Sequence, residues 1–183
     1  MESLTAPSVV ELPRRLLSST GSLRNPDPEV GGILLHDLSV LEVVRLSAVT
    51  VLPLAVDVDT VEGLAADATA IEFLARRLRL PIAITRRPAL AAQARELGCL
   101  ALLHVHGLDS AGWEQAMAGH PGPPVGTAVS PGLILAHLAA PQRLSLPRPL
   151  LAYGLVRRQE EQEAAFAAGA DAVVVWSDGR AAG

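Results

Sequence analysis

Short apolar runs alternate with amphipathic stretches along nearly the whole chain. The runs fall at 9–12, 32–35, 51–58, 81–85, 99–105, 125–129, 150–153 and 172–176. Most are continuous rather than alternating, which suits parallel strands buried on both faces. Helical spacing is found at 14–23, 39–46, 64–78, 88–97, 110–117, 133–139 and 159–168. In 64–78, Asp67 and Glu72 lie toward the start and Arg76, Arg77 and Arg79 toward the end, a polarity that suits the helix dipole. Pro88 fits a first helical turn, Gly98 a helix stop and Ser110 an N-cap. The proline-bearing segments 25–32 and 119–124 read as loops.

Eight strand–helix units predict a TIM-like (β/α) barrel. The chain is short for that fold. Only SDGRAAG follows the last strand, so the final helix is expected to be missing or truncated. A single domain over 1–183 is expected, and a doubly wound open sheet is the alternative. In a barrel the C-terminal strand ends share the face on which such folds build their sites. Here those ends carry His36 and Asp37, Asp57 and Asp59, Thr85 and Arg86, His104 and His106, Ser130, Tyr153 and Gly154, and Trp176 and Ser177.

Composition narrows the class. Half of the 183 residues are hydrophobic and 19% are charged, which describes a folded globular chain. With 3% aromatics, Ala, Leu and Val must fill the core. All 15 basic residues are Arg, and the net charge of -4 gives global electrostatics no part in nucleic-acid binding; only local Arg clusters remain for that. The single cysteine, Cys99, excludes an intramolecular disulfide framework and reads as a small core residue. A cytoplasmic location is expected. The first residues lack the basic and apolar regions of a signal peptide, and no apolar run reaches membrane-spanning length.

Three groups carry candidate chemistry. DVD sets Asp57 and Asp59 two apart, on one side of a strand, and HVH does the same for His104 and His106. Together the four offer carboxylate and imidazole to a divalent metal, or they cap and solvate strand ends. The third group is Gly154 and Gly169, flanking the last helix. They fit the phosphate-gripping loops after strands seven and eight of such barrels, or two ordinary turn glycines.

Set in order, these segments resemble the glycerol-3-phosphate-responsive antiterminator family, the glycerol uptake operon antiterminator proteins. DVDTVEGLAAD resembles the family's His-Val-Asp-Leu-Ile-Glu-Gly-Leu followed by Asp, keeping Asp59, Glu62, Gly63, Leu64 and Asp67, with Asp57 at the His position. AITRR resembles the end of Ile-Ile-Ser-Thr-Lys, keeping Thr85, with Arg86 for Lys. HVHGLDS resembles Arg-Leu-Phe-Leu-Leu-Asp-Ser, keeping Asp109 and Ser110, with His104 at the Arg position. VSPG keeps Pro131 and Gly132, AYGLV keeps Gly154 and Leu155 of Ala-Gly-Gly-Leu-Ile, and AGADAV keeps Ala168–Ala170. The series runs in order from about Gly32 onward. The family's Ser-Thr-Ser in the last strand is replaced by VVW, leaving Ser177 as the substitute hydroxyl.

The resemblance implies a regulator, not an enzyme. It would bind glycerol 3-phosphate, or a similar phosphorylated metabolite, and act on leader mRNA to prevent termination, with no cofactor, metal or membrane; a homo-oligomer stays open. In that reading Arg86 pairs with phosphate. Thr85 and Ser177 join the ligand site, Gly154, Leu155, Gly169 and Ala170 give backbone contacts, and Asp59 and Glu62 orient hydroxyls. RNA would meet Arg86, Arg87, Arg157 and Arg158, with Arg76, Arg77 and Arg79 as a further cluster; solvated surface charge is the bland account of these arginines. The competing reading is a small metal-dependent barrel enzyme acting on a phosphorylated or phosphodiester substrate through Asp57, Asp59, His104 and His106.

Overall fold

A computed structural model describes residues 10–21 and 28–176. Eight parallel strands close into a barrel in sequence order: β1 (Arg15–Ser19), β2 (Gly32–Leu35), β3 (Leu54–Asp57), β4 (Ile82–Thr85), β5 (Leu100–His106), β6 (Gly126–Ser130), β7 (Leu150–Ala152) and β8 (Ala172–Trp176). Closure is made by β1 against β8, with Leu16 beside Val174 and Ser18 beside Trp176. The helices are α1 (Val40–Val49), α2 (Ala68–Glu72), α3 (Pro88–Glu96), α4 (Ser110–Ala118), α5 (Ala140–Leu144) and α6 (Gln159–Ala167). The TIM-like architecture is thus present.

Strand alternation divides the core in two. Leu16, Leu34, Ala55, Ile82, Ile84, Leu102, Ala128, Leu151, Ala172 and Val174 fill the barrel interior. The opposite faces, among them Ile33, Leu35, Val56, Leu103 and Val129, pack against Val43, Leu46, Ile71, Leu74, Ala91 and Ala94 of the helices. Both strand faces are buried, which is why the sequence shows runs rather than alternation.

Several boundaries differ from the sequence reading. The first strand is Arg15–Ser19, inside the stretch expected to be helical, while 10–12 is outside any strand; residue 9 and residues 22–23 lie outside the described residues. Leu16 and Leu17 serve opposite faces of a strand, and the gap between β8 and β2 can be closed only by an extended segment, so tertiary pairing overrides local helical spacing. β3 begins three residues later than expected: Pro53 has no N–H to give the ladder, and Val51 is 99% exposed. The expected helix 64–78 starts only at Ala68, because Asp67 caps it through Ala70 N, and its second half is a π turn over Phe73–Arg77. The α4 cap is Asp109, not Ser110, with Oδ1 accepting from Gly112 N at 2.7 Å. Residues 132–137 form a 3-10 segment, and α5 was not expected. The expected truncation of the last helix concerns 177–183, outside the described residues. No helix among the described residues is long and apolar enough to cross a membrane.

Candidate functional site

The alternation that buries Leu16, Leu34, Ala55, Leu102, Ala128, Leu151 and Val174 inside the barrel brings Ser18, His36, Asp57, His104, Ser130, Tyr153 and Trp176 to its C-terminal mouth, two residues further on each strand. The chain has five His, one Tyr and two Trp. Three of the His, the Tyr and one Trp meet here. His36 stands edge-on to Tyr153 (6.3 Å between centroids) and Trp176 (5.5 Å), and His104 lies against His106 (4.3 Å) and Tyr153 (4.8 Å). A chain this poor in rings does not gather five at one end for packing, which its aliphatic residues already supply. The sequence places these five residues at strand ends on one face, but their ring-to-ring contacts, made across four different strand ends, could not be read from it.

Hydrogen bonds fix the rings. His36 Nε2 lies 2.6 Å from Ser18 Oγ, and its Nδ1 lies 2.7 Å from Asp37 Oδ2. His104 Nε2 and His106 Nδ1 both contact Ser130 Oγ, at 2.8 and 3.0 Å. Tyr153 donates to Asp57 Oδ2 at 3.4 Å. Asp57 Oδ2 and His104 Nδ1 are 3.6 Å apart, too far for a hydrogen bond. Asp57 is 2% and His104 8% exposed, and both Asp57 Oδ1 and His104 Nδ1 are buried without a hydrogen-bond partner among the described residues. Burial, together with His104 and Arg86, lowers the His106 pKa. Burial and the Asp57 carboxylate push the Tyr153 phenol well above the usual range.

Asp59 does not share this interior. β3 ends at Asp57 and a 3-10 turn over Val58–Thr60 follows, so the period-two rule lapses and the DVD carboxylates diverge. Asp59 Oδ2 accepts from Thr85 Oγ1 at 2.9 Å and from Arg86 N at 2.5 Å, and Oδ1 accepts from Arg87 Nε at 3.2 Å. Thr85 is fully buried on the helix-facing side of β4, the side of Ala83. This pair therefore anchors the loop that presents Arg86. Arg87 also donates to Ala66 O. The four residues expected around a metal are thus split, and among the described residues no three His, Cys, Asp or Glu side chains gather as a metal site.

Gly154 sits at the mouth after β7 with φ +74°, a conformation that favours glycine, and a Cβ there would find only Ser130 Cβ, at 3.9 Å. Leu155 follows, also left-handed (φ +59°) and half exposed. Gly169 and Ala170 are elsewhere. They follow α6 and precede β8, so they lie at the N-terminal end of the barrel, where Arg148 donates to Gly169 O and Asp171. The pairing of Gly154 with Gly169 is corrected accordingly: a strand and a returning helix put them at opposite ends. Glu62 is exposed, and its backbone bridges to the segment Leu38–Val40. Ser177 lies outside the described residues. Arg157 and Arg158 open α6 on the mouth side; the backbone N–H groups of Arg158 and Arg157 donate to Glu161 Oε2 at 2.9 and 2.8 Å and the Arg158 guanidinium to Oε1 at 2.9 Å, and these bonds, the backbone ones first, hold the Glu161 carboxyl down to about 2.

A family model described as the glycerol-3-phosphate responsive antiterminator matches residues 27–178. The chain belongs to that family. The match spans β2 to β8 and so most of the mouth. Two crystal structures share the fold. A glycerol uptake operon antiterminator regulatory protein from Listeria monocytogenes superposes with a TM-score of 0.70 at 21% identity, covering 80% of each chain. A glycerol uptake operon antiterminator-related protein from Thermotoga maritima gives 0.70 at 22% identity, covering 89% of this chain and 93% of its own. Comparison with curated proteins finds no match.

Proposed function

We propose that this member of the antiterminator family is a glycerol-3-phosphate-responsive regulator that binds leader RNA of glycerol metabolism genes, with its metabolite held at the barrel mouth. The family match over 27–178 carries the reading. The mouth supports it: Gly154 and Leu155 expose backbone, and Arg86 stands at the rim on a loop pinned by Asp59. A phosphate there meets backbone N–H groups and a guanidinium able to donate two bonds. Gly169 and Ala170 take no part in this site. The separation of Asp59 from Asp57, His104 and His106 splits the four side chains on which the metal-dependent reading relied.

RNA would lie across the rim. Arg86, Arg87, Arg157 and Arg158 all follow strand ends on that face. Arg87 is engaged with Asp59, and Arg158 with Glu161 of α6. Arg86 meets Asp59 only at 3.8 Å and is half exposed, so Arg86 and Arg157 are the arms expected to reach phosphates of the nucleic acid. A metabolite that orders Arg86 then changes RNA affinity, and linkage requires RNA to change metabolite affinity by the same factor. The test is fluorescence anisotropy with a terminator-bearing leader transcript, with and without glycerol 3-phosphate. Salt-sensitive binding strengthened at least about 5-fold by the metabolite is expected. RNA binding absent in both conditions refutes the reading.

A further inference from the structure

We infer that Asp57 and His104 form a hydroxyl-recognising floor, which selects a small phosphomonoester whose far end is an alcohol and rejects one ending in a carboxylate. The inference rests on the proposed ligand at the mouth and goes beyond it by naming the group that discriminates. Buried polar atoms in folded proteins nearly always have partners. Here Asp57 Oδ1 and His104 Nδ1 have none among the described residues, and they belong to neighbouring side chains, His104 Nδ1 lying 3.6 Å from the other Asp57 oxygen, Oδ2.

The chemistry of the two atoms is specific. An ionised Asp57 Oδ1 can only accept. His104 Nε2 is engaged with Ser130 Oγ; when it accepts the serine proton, Nδ1 carries the ring hydrogen and can donate. One acceptor beside one donor matches a hydroxyl, which donates and accepts at once. A carboxylate offers acceptors alone and would face the Asp57 charge inside the barrel. A methyl group would leave both atoms unpaired. Tyr153 holds Asp57 through Oδ2, and Ser130 holds His104 through Nε2.

Isothermal titration tests this with three ligands of equal length: sn-glycerol 3-phosphate, its methyl-ended analogue propane-1,2-diol 1-phosphate, and carboxylate-ended 3-phosphoglycerate. The alcohol is expected to bind at least about 10-fold tighter than either, the size of one hydrogen bond to a charged group. In Asp57→Asn the carboxylate-ended ligand should come within about 3-fold of the alcohol. Similar affinities for all three in the unmodified protein overturn the inference, and ordered water then satisfies the two atoms. Unchanged discrimination in a folded Asp57→Asn variant also overturns it. Failure of all three to bind sinks the metabolite reading, and this inference with it; binding without discrimination sinks this inference alone. Should Asp57→Asn not fold, the ranking in the unmodified protein still decides.

Discussion

Removing the Asp59 carboxylate should cost the fold far more than an average surface substitution. Its side chain is 2% exposed. It accepts the hydroxyl of Thr85, itself fully buried, and the Arg86 N–H at the end of β4. A hydrogen bond to a charged group contributes about 1.5–3 kcal/mol, and leaving the buried Thr85 O–H without its acceptor, although its oxygen still accepts from Arg87 N, adds to the loss. The guanidinium contacts add little, because Arg86 and Arg87 are 54% and 61% exposed and solvent screens them. Asp59→Ala should therefore lose about 3–5 kcal/mol. Asp59→Asn, which keeps an acceptor, should lose about 1–2 kcal/mol. Urea unfolding followed by far-UV circular dichroism measures both. Since the same carboxylate seats the Arg86 loop, phosphate-ligand affinity should fall in each. A loss below about 1 kcal/mol in Asp59→Ala refutes the reasoning, and Asp59 then does not anchor the loop.

Other consequences are equally direct. Tyr153 is the only tyrosine, so absorbance at the phenolate band reports it alone; it should stay protonated well past pH 10, and stability should fall as pH rises above about 10, because the unfolded chain loses that proton first. The Glu161 carboxyl is depressed to about 2, so its contribution to α6 is present above its ordinary value of 4.5 and is lost as pH falls from there toward 2. Glu161→Gln should flatten that limb of the acid-unfolding curve. Gly154→Val forces a β-branched residue to φ +74°; it should cost about 1–2 kcal/mol in thermal unfolding and weaken phosphate-ligand binding. Cys99 is buried with its thiol pKa raised, so alkylation should proceed only on unfolding.

The barrel and most of its strand ends were legible because both-face burial makes each strand a contiguous apolar run, and seven of the eight runs lie where strands form. The first did not, since Leu16 and Leu17 are neutral between helix and strand until β2 and β8 are there to pair with. His36, Asp57, His104 and Tyr153 were placed at the mouth by counting from strand ends. The same counting misplaced Asp59, because a 3-10 turn begins one residue before it. The expected element order already set Gly154 and Gly169 at the two ends of the last helix, and hence at opposite ends of the barrel, which the phosphate-grip reading passed over. What no periodicity carries is partnership across strands: Asp57 Oδ1, without a partner among the described residues, comes beside the His104 side chain only once β3 and β5 are both in place.

The location of the phosphate is the most direct test. In a crystal structure with sn-glycerol 3-phosphate, phosphorus is predicted at the barrel mouth, between the Gly154–Leu155 backbone and Arg86, with the far hydroxyl on Asp57. Phosphate seated at the N-terminal end near Gly169 and Arg148, or an occupied mouth without contact to Gly154 or Arg86, would contradict the proposed site.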